Sequence, residues 1–298
     1  RAANNINFTA GPALVGFATI FTYSALGNEL DAPTVFAALG LLNALRMYIL
    51  ILPRAYQTLA SVLVAEKRLS RFLALPERDT TGALAVASRA AQIEGDFDWE
   101  VGGAPALRGV SLSVAPGELL AVVGPVGCGK SALALGLLGE LCPSAGGSRA
   151  GRRGVGGFAA YCPQSAFVLN ATLRDNILFG SEYDRGRYDA VVRAAALGPD
   201  LAALPAGDET ELGERGVTVS GGQRQRVALA RVAYAALSSE EPCVVVLDDP
   251  LAAVDAHTAA HLMRALVGPS GLLGGCTRVL VTNQLAVLEQ CDRVVVME

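Results

Sequence analysis

The chain has 298 residues, enough for one large domain or two small ones. Hydrophobic residues make up 52% and charged residues 17%, against about 25% charged in an average soluble domain, so a purely soluble composition is disfavoured and a membrane segment is expected. The net charge of −4 and sequence pI near 5.4 leave no basic footprint for nucleic acid, and no nucleic-acid partner is expected.

The chain opens on Arg1, shows no signal-peptide pattern and runs almost at once into apolar sequence, the pattern expected of a piece of a longer protein. Residues 8–27 are uncharged and mostly apolar, close to the about 20 residues that span a bilayer. A polar turn with Glu29 and Asp31 follows, then a second apolar run whose helical spacing continues through Leu59, Val62, Leu69 and Phe72. The expectation is two transmembrane helices, about 8–27 and 33–74, within a membrane-domain segment 1–75 that has the lipid bilayer as partner. The alternative is a pair of buried helices in a soluble protein. Lys67, Arg68 and Arg71 follow the second run while the turn is acidic, which places the rest of the chain in the cytosol. Arg46 interrupts the second run. It suits a substrate path for anions, and equally an interhelical partner or a snorkelling side chain.

Residues 76–91 are poor in bulky apolar residues and read as a linker to a domain over 92–298. Alternation at Ile93, Gly95, Phe97 and Trp99, then at Val110, Leu112 and Val114, predicts antiparallel strands. Trp99, the only Trp, is either a half-buried strand aromatic or a surface on which an adenine stacks. The apolar run Leu119–Val123 leads into Gly124-Pro125-Val126-Gly127-Cys128-Gly129-Lys130-Ser131 and a helix-compatible stretch. Strand, glycine loop and helix in that order form a phosphate-binding P-loop: backbone N–H groups and the helix dipole face a polyphosphate. Lys130 is placed to reach the β- and γ-phosphates and Ser131 to ligate Mg²⁺. Lys67 and Lys130 are the only lysines among 24 basic residues, so a compact point charge stands where an arginine-using chain needs one.

Cys243–Leu247 is a β-branched run that reads as a buried parallel strand, with Asp248 and Asp249 at its carboxyl end, where ligands bind in such sheets. Asp248 suits a Mg²⁺ ligand, and Asp249 a general base or water-orienting carboxylate. Ser220-Gly221-Gly222-Gln223 opens a helix that Ser220 can cap, its first N–H groups left bare by the glycines as a second anion site. Two anion sites in one fold suggest a nucleotide sandwiched against another copy or a partner. The six cysteines contain no C-x-x-C pair and read as reduced thiols rather than as a metal site or disulfide framework. His257 and His261, one helical turn apart, read as a solvated face rather than a metal pair.

Together the P-loop, Ala160-Tyr161-Cys162-Pro163-Gln164, Val219–Gln223, Val246–Asp249, Ala253-Val254-Asp255 and Val281-Thr282-Asn283-Gln284 resemble, in order and spacing, the ATP-binding cassette transporters. Leu204–Gly216, Leu247–His257 and Gly268–Leu273 are similar to the first nucleotide-binding domain of the C subfamily, the multidrug-resistance-associated exporters. Residues 142–157 match least and read as a Gly/Arg-rich, insert-like loop. The fold class implied is α/β: a P-loop ATPase with a parallel core sheet, an antiparallel β subdomain and a helical subdomain, preceded by two helices of an all-α membrane domain. More chain is expected beyond Glu298 to complete the cassette, and two of six spans of the membrane domain are expected to be present.

The resemblance implies ATP and Mg²⁺ as cofactors, adenine stacking on Trp99, and contact of Gln164 with Mg²⁺ and water. It implies that Ser220, Gly221, Gly222 and Gln223 close over ATP held by a second nucleotide-binding domain of the same full-length chain, with Asp255 at the domain contact. Two residues depart from the family pattern. The usual catalytic Glu is Asp249, one methylene shorter, and the switch His is Asn283, which cannot take up a proton. A multi-pass membrane exporter of organic anions or xenobiotics is expected, coupled to hydrolysis that is slow in this cassette. A channel or channel regulator of the same subfamily and a soluble cassette ATPase are the rivals.

Overall fold

In the computed structural model residues 2–75, 84, 86–144, 147, 149, 151–213 and 219–298 are described, with no side-chain description for 2–12, 46, 47, 49 and 50. The backbone divides between Glu77 and Arg78 into two compact units. The first is a helix pair, α1 (Ala2–Ala25) and α2 (Ala32–Leu73). Asp31 and Pro33 start α2, proline being suited to a first turn where its missing N–H is not needed. Within the pair, Gly16 on α1 lies opposite Leu39 and Leu42 of α2. Phe17, Phe36, Leu52 and Phe72 are exposed.

The two expected helices are present, and among the described residues no helix is long and apolar enough to cross a membrane. In α2 the second half carries Pro53, Arg54, Glu66, Lys67, Arg68 and Arg71. The expectation placed on the Arg46 side chain, and most of the 76–91 linker, lie outside the described residues.

The second unit is built on two sheets. β1 (Ala91–Asp98) and β2 (Pro105–Val114) form an antiparallel pair, joined on the other edge of β1 by β4 (Cys142–Pro143) and β5 (Arg152–Val155). β3 (Leu119–Val123), β6 (Phe158–Cys162), β7 (Cys243–Asp248), β8 (Thr277–Val281) and β9 (Arg293–Val296) form a parallel sheet in the order β6-β7-β8-β3-β9. β3 is a continuous Leu, Ala and Val run, and β7 and β8 carry the apolar runs Val244–Leu247 and Val279–Val281, because both faces of this sheet are covered. The two-residue period of the strands sorts their side chains. Leu120, Val122, Val244, Val246, Val279 and Val281 enter one core with α3 (Lys130–Leu138) and the antiparallel sheet. Leu119, Val245, Leu247 and Leu280 enter another with the helical part.

That helical part comprises α4 (Leu173–Leu178), α5 (Arg185–Ala194), α6 (Gly198–Ala203) and α7 (Gly221–Ser238). Thr172 and Asp184 cap α4 and α5 by accepting backbone N–H bonds. The buried Arg231 of α7 lies over the rings of Phe167 and Phe179 and donates to the Asn176 carbonyl, tying α7 to α4. α8 (Ala256–Leu262) follows β7.

Within residues 142–157, Cys142–Pro143 and Arg152–Val155 are strands paired with β1 rather than loop, which corrects that expectation for these residues. Arg152–Val155 pairs with Ala91–Glu94, and Arg152 and Glu94, register partners, form an ion pair at 3.7 Å. Arg153 donates to the carbonyls of Gly139 and Leu141 at 3.2 and 3.0 Å, tying β5 to the turn that follows α3. The arginines that made this stretch look irregular are the residues that fasten it.

Candidate functional site

The loop between β3 and α3 is shaped by two glycines with left-handed backbones, Gly127 at φ 90° and Gly129 at φ 98°. Gly124 is held by space rather than angle: a Cβ there would lie 2.4 Å from the Met297 carbonyl oxygen and 2.8 Å from Cys128 Sγ. No side chain caps α3, whose N-cap is Gly129. The orphan N–H groups of its first turn are therefore available to an anion. Lys130, 8% exposed, donates from Nζ to the carbonyls of Gly124 and Pro125 at 2.7 and 2.8 Å, so its charge lies within the loop. Pro125 and Cys128 belong to the loop backbone, and Val126 is its exposed tip.

The carboxyl ends of β7 and β8 complete a cavity of about 310 Å³. Trp99, Val126, Gly127, Gly129, Lys130, Ser131, Gln164, Asp248, Asp249 and Asn283 line it. Ten predicted site residues from five separated stretches thus meet in one place. Trp99 follows the last residue of β1 and is half-exposed.

Asp248 and Asp249 are both buried, and their surroundings differ. Burial pushes the Asp248 carboxyl above its ordinary value, with the charge of Asp249 adding. Hydrogen bonds from the Ser131 and Tyr161 hydroxyls and the charge of Lys130 oppose this. Asp249 has a left-handed backbone at φ 46°, a region Asp tolerates better than most residues. Its N–H donates to the Val281 carbonyl at 2.9 Å and its Oδ2 accepts from Asn283 Nδ2 at 3.2 Å. The two positions that depart from the family pattern are therefore bonded to each other.

Tyr161 was not singled out from the sequence. Its hydroxyl hydrogen-bonds Asp248, and burial, with the Asp248 charge next, pushes its pKa up to about 12. The signal was present in the alternation: Tyr161 pairs with Val246 across β6 and β7, and Asp248 lies two residues on, on the same face.

Ser220, Gly221, Gly222 and Gln223 do not line this cavity. They start α7 with a reciprocal capping box, in which Ser220 Oγ accepts from the Gln223 N–H at 3.2 Å and Gln223 Oε1 accepts from the Ser220 N–H at 2.8 Å. One of the helix donors expected to be bare is thus occupied. Gln223 Nε2 donates onward to Asp200 at 2.9 Å. Asp255 caps α8 through the Thr258 N–H at 2.9 Å, a bond that lowers its pKa. His261 Nε2 lies 3.2 Å from the Arg193 carbonyl oxygen, and among the described residues no group of three His, Cys, Asp or Glu side chains is placed to hold a metal.

Glycine loop, uncapped helix and strand-end carboxylates on a parallel sheet define the second unit as a P-loop nucleotide-binding domain. Residues 107–252 match the family model described as ABC transporter. The chain is 40% identical to "ATP-binding cassette sub-family C member 2" of Rattus norvegicus over 96% of its length, and 40% identical to the Homo sapiens protein of that name over 97%. It is 40% identical to "ATP-binding cassette sub-family C member 3" of Homo sapiens over 100% of its length. The chain belongs to the ABC transporter family and carries its ATP-binding domain. It spans 18 to 19% of the length of these curated relatives.

Proposed function

We propose that the chain is the first nucleotide-binding part of a multi-pass membrane exporter that couples ATP to the movement of amphipathic or conjugated organic anions. In this reading the cassette binds Mg·ATP tightly and hydrolyses it slowly. The observation that carries the slow site is the Asn283–Asp249 hydrogen bond. Hydrolysis needs a group that orients the attacking water, and a residue beside it that stabilises the transition state. Asp249 is short and already accepts from Asn283, and the Asn283 amide does not take up a proton at neutral pH as an imidazole does. The binding parts stand complete beside this pair.

The donor set fits Mg²⁺. Ser131 hydroxyl, Asp248 carboxylate and Gln164 amide oxygen are hard oxygen donors on one cavity, and Asp248 is a buried carboxylate whose ionised form a cation would favour. The ion would neutralise charge on the phosphates during transfer to water. Around it the α3 N–H groups and Lys130 hold the phosphates, and Trp99 offers its exposed ring to the adenine. Ser220, Gly221, Gly222 and Gln223 would close over ATP on a second nucleotide-binding domain of the full-length chain, with Asp255 at the contact between domains. Residues 1–75 would form the end of the preceding membrane domain, 76–91 a linker, and 92–298 the cytosolic cassette. The exporter assignment rests on the sub-family C relatives.

Single-turnover hydrolysis in the full-length protein tests the reading. The site on Lys130 is expected to retain ATP through several turnovers of the other site, and Asp249→Glu with Asn283→His to raise its rate. Equal rates at both sites in the unmodified protein would overturn the slow-site reading. ATP-dependent uptake of a conjugated anion into vesicles tests the exporter, and passive conductance without uptake would show a channel instead.

A further inference from the structure

Two cysteines that the nucleotide reading does not use lie at the opposite end of β7 and β8 from the cavity. Val244 pairs with Thr277 in the parallel ladder, so Cys243 and Cys276, one residue earlier on each chain, stand side by side. Adjacent strands lie about 4.8 Å apart, inside the about 4.4–6.8 Å Cα separation of disulfides. Both side chains take the same face: Cys243 is buried in the core on the helical side and Cys276 packs against that core. The two thiols are near enough to shift each other's ionisation. Cys276 is half-buried, and the preceding Gly275 is exposed, with open space where a Cβ would stand. Of the two residues Cys276 is the more exposed and Cys243 lies within the core.

We propose that Cys243 and Cys276 form a peroxide-responsive dithiol, in which Cys276 is oxidised first and Cys243 resolves it as an intramolecular disulfide. This rests on the β7–β8 register and on the unequal exposure of the two residues, and it is independent of the nucleotide assignment. The Cys276 thiolate attacks one oxygen of hydrogen peroxide and the O–O bond breaks. The sulfur becomes a sulfenic acid, and the departing hydroxide takes up the proton that Cys276 released. The Cys243 sulfur then gives up its proton and attacks the Cys276 sulfur, and hydroxide leaves with that proton as a second water. Two thiols lose two electrons, the peroxide gains two, and the products are one disulfide and two waters.

The surroundings favour this order. Interaction with the Cys243 thiol holds the Cys276 thiol below its ordinary range against the effect of burial, with the Arg278 and Arg89 charges adding. The same interaction, together with burial, raises Cys243. Arg278 Nε donates to the Cys276 carbonyl at 2.9 Å and Arg89 Nη1 to the Gly275 carbonyl at 3.2 Å, which keeps both guanidiniums near. Redox-sensing pairs of this kind form transiently in otherwise reducing compartments. A bond here would staple the two strands whose far ends carry Asp248, Asp249 and Asn283.

The test treats the full-length protein with hydrogen peroxide, alkylates the remaining thiols and maps them by mass spectrometry. The expected result is a Cys243–Cys276 linked peptide, reversed by dithiothreitol. In Cys243→Ser the expected result is a dimedone-trapped sulfenic acid at Cys276 and no disulfide. Alkylation of the reduced, unmodified protein at pH 7 gives a readout that needs no variant: Cys276 should react roughly ten-fold faster than Cys243. Equal alkylation rates, or peroxide treatment that leaves Cys276 unlinked, would overturn the proposal.

Discussion

The chain starts two helices on glycine-rich turns and treats them in opposite ways. At α3 the N-cap is Gly129 and no side chain bonds the first turn, while at α7 Ser220 and Gln223 bond each other's backbone N–H groups. An uncapped helix start is unfavourable unless something else takes its donors. At α3 the strand ends of β7 and β8 bring Asp248, Asp249 and Asn283 to the same cavity, so that start is arranged for an anionic ligand and its counterion. The start of α7 is complete by itself and presents a preformed turn. One helix start is left open for a ligand and the other is closed by its own side chains.

The largest predicted effect separates the two by ligand. Lys130→Ala removes charge-assisted bonds worth about 1.5–3 kcal/mol to a phosphate, so ATP affinity of this chain should fall roughly 10- to 100-fold. Ser220→Ala should leave it unchanged. A fluorescent-nucleotide titration reads both, and a comparable loss in Ser220→Ala would place the α7 turn at this chain's own nucleotide.

Next comes the contrast between glycines. Gly124→Ala forces a Cβ against the Met297 carbonyl and Cys128 Sγ, and should destabilise by about 1–3 kcal/mol. At Gly221 a Cβ meets nothing within 4 Å, so Gly221→Ala should be neutral or stabilise by about 0.4–1 kcal/mol. Urea unfolding gives both numbers, and equal losses would mean that the α3 loop is not tightly packed. By the same measurement Ser220→Ala should cost about 0.5–2 kcal/mol through the lost cap.

Much of this contrast is legible in the residues, and the unread part has a common cause. The P-loop, the buried strand Cys243–Asp248 and the helical character of both N-terminal runs follow from local pattern, since period and glycine spacing act over a few residues. The capping box is legible too, since Ser220 and Gln223 have its spacing. What local pattern does not carry is register. Tyr161 reaches Asp248, Asn283 reaches Asp249 and Cys243 meets Cys276 because strands distant in sequence pair at particular residues. Arg152 and Arg153 look like loop composition until β5 is laid against β1.

The smallest effect concerns pH and tests whether Asp248 is held for a cation. Burial raises its carboxyl above the ordinary Asp value of 3.8, so the fold disfavours the ionised form. A raised acid contributes its full stability below the unfolded value and loses it as pH climbs through the folded one. Asp248→Asn cannot ionise, so its stability relative to the unmodified chain should rise as pH goes from below 3.8 toward neutrality and then level off. The capping box of α7 contains no titrating group, so the Ser220→Ala loss should stay flat over the same range. Urea midpoints for both variants at a series of pH values, without and then with Mg·ATP, read the difference. Mg·ATP should reverse the Asp248→Asn advantage by stabilising only the ionised carboxylate. An advantage that shrinks as pH rises would mean that hydrogen bonds from Ser131 and Tyr161 outweigh burial, and Asp248 would then be a structural carboxylate.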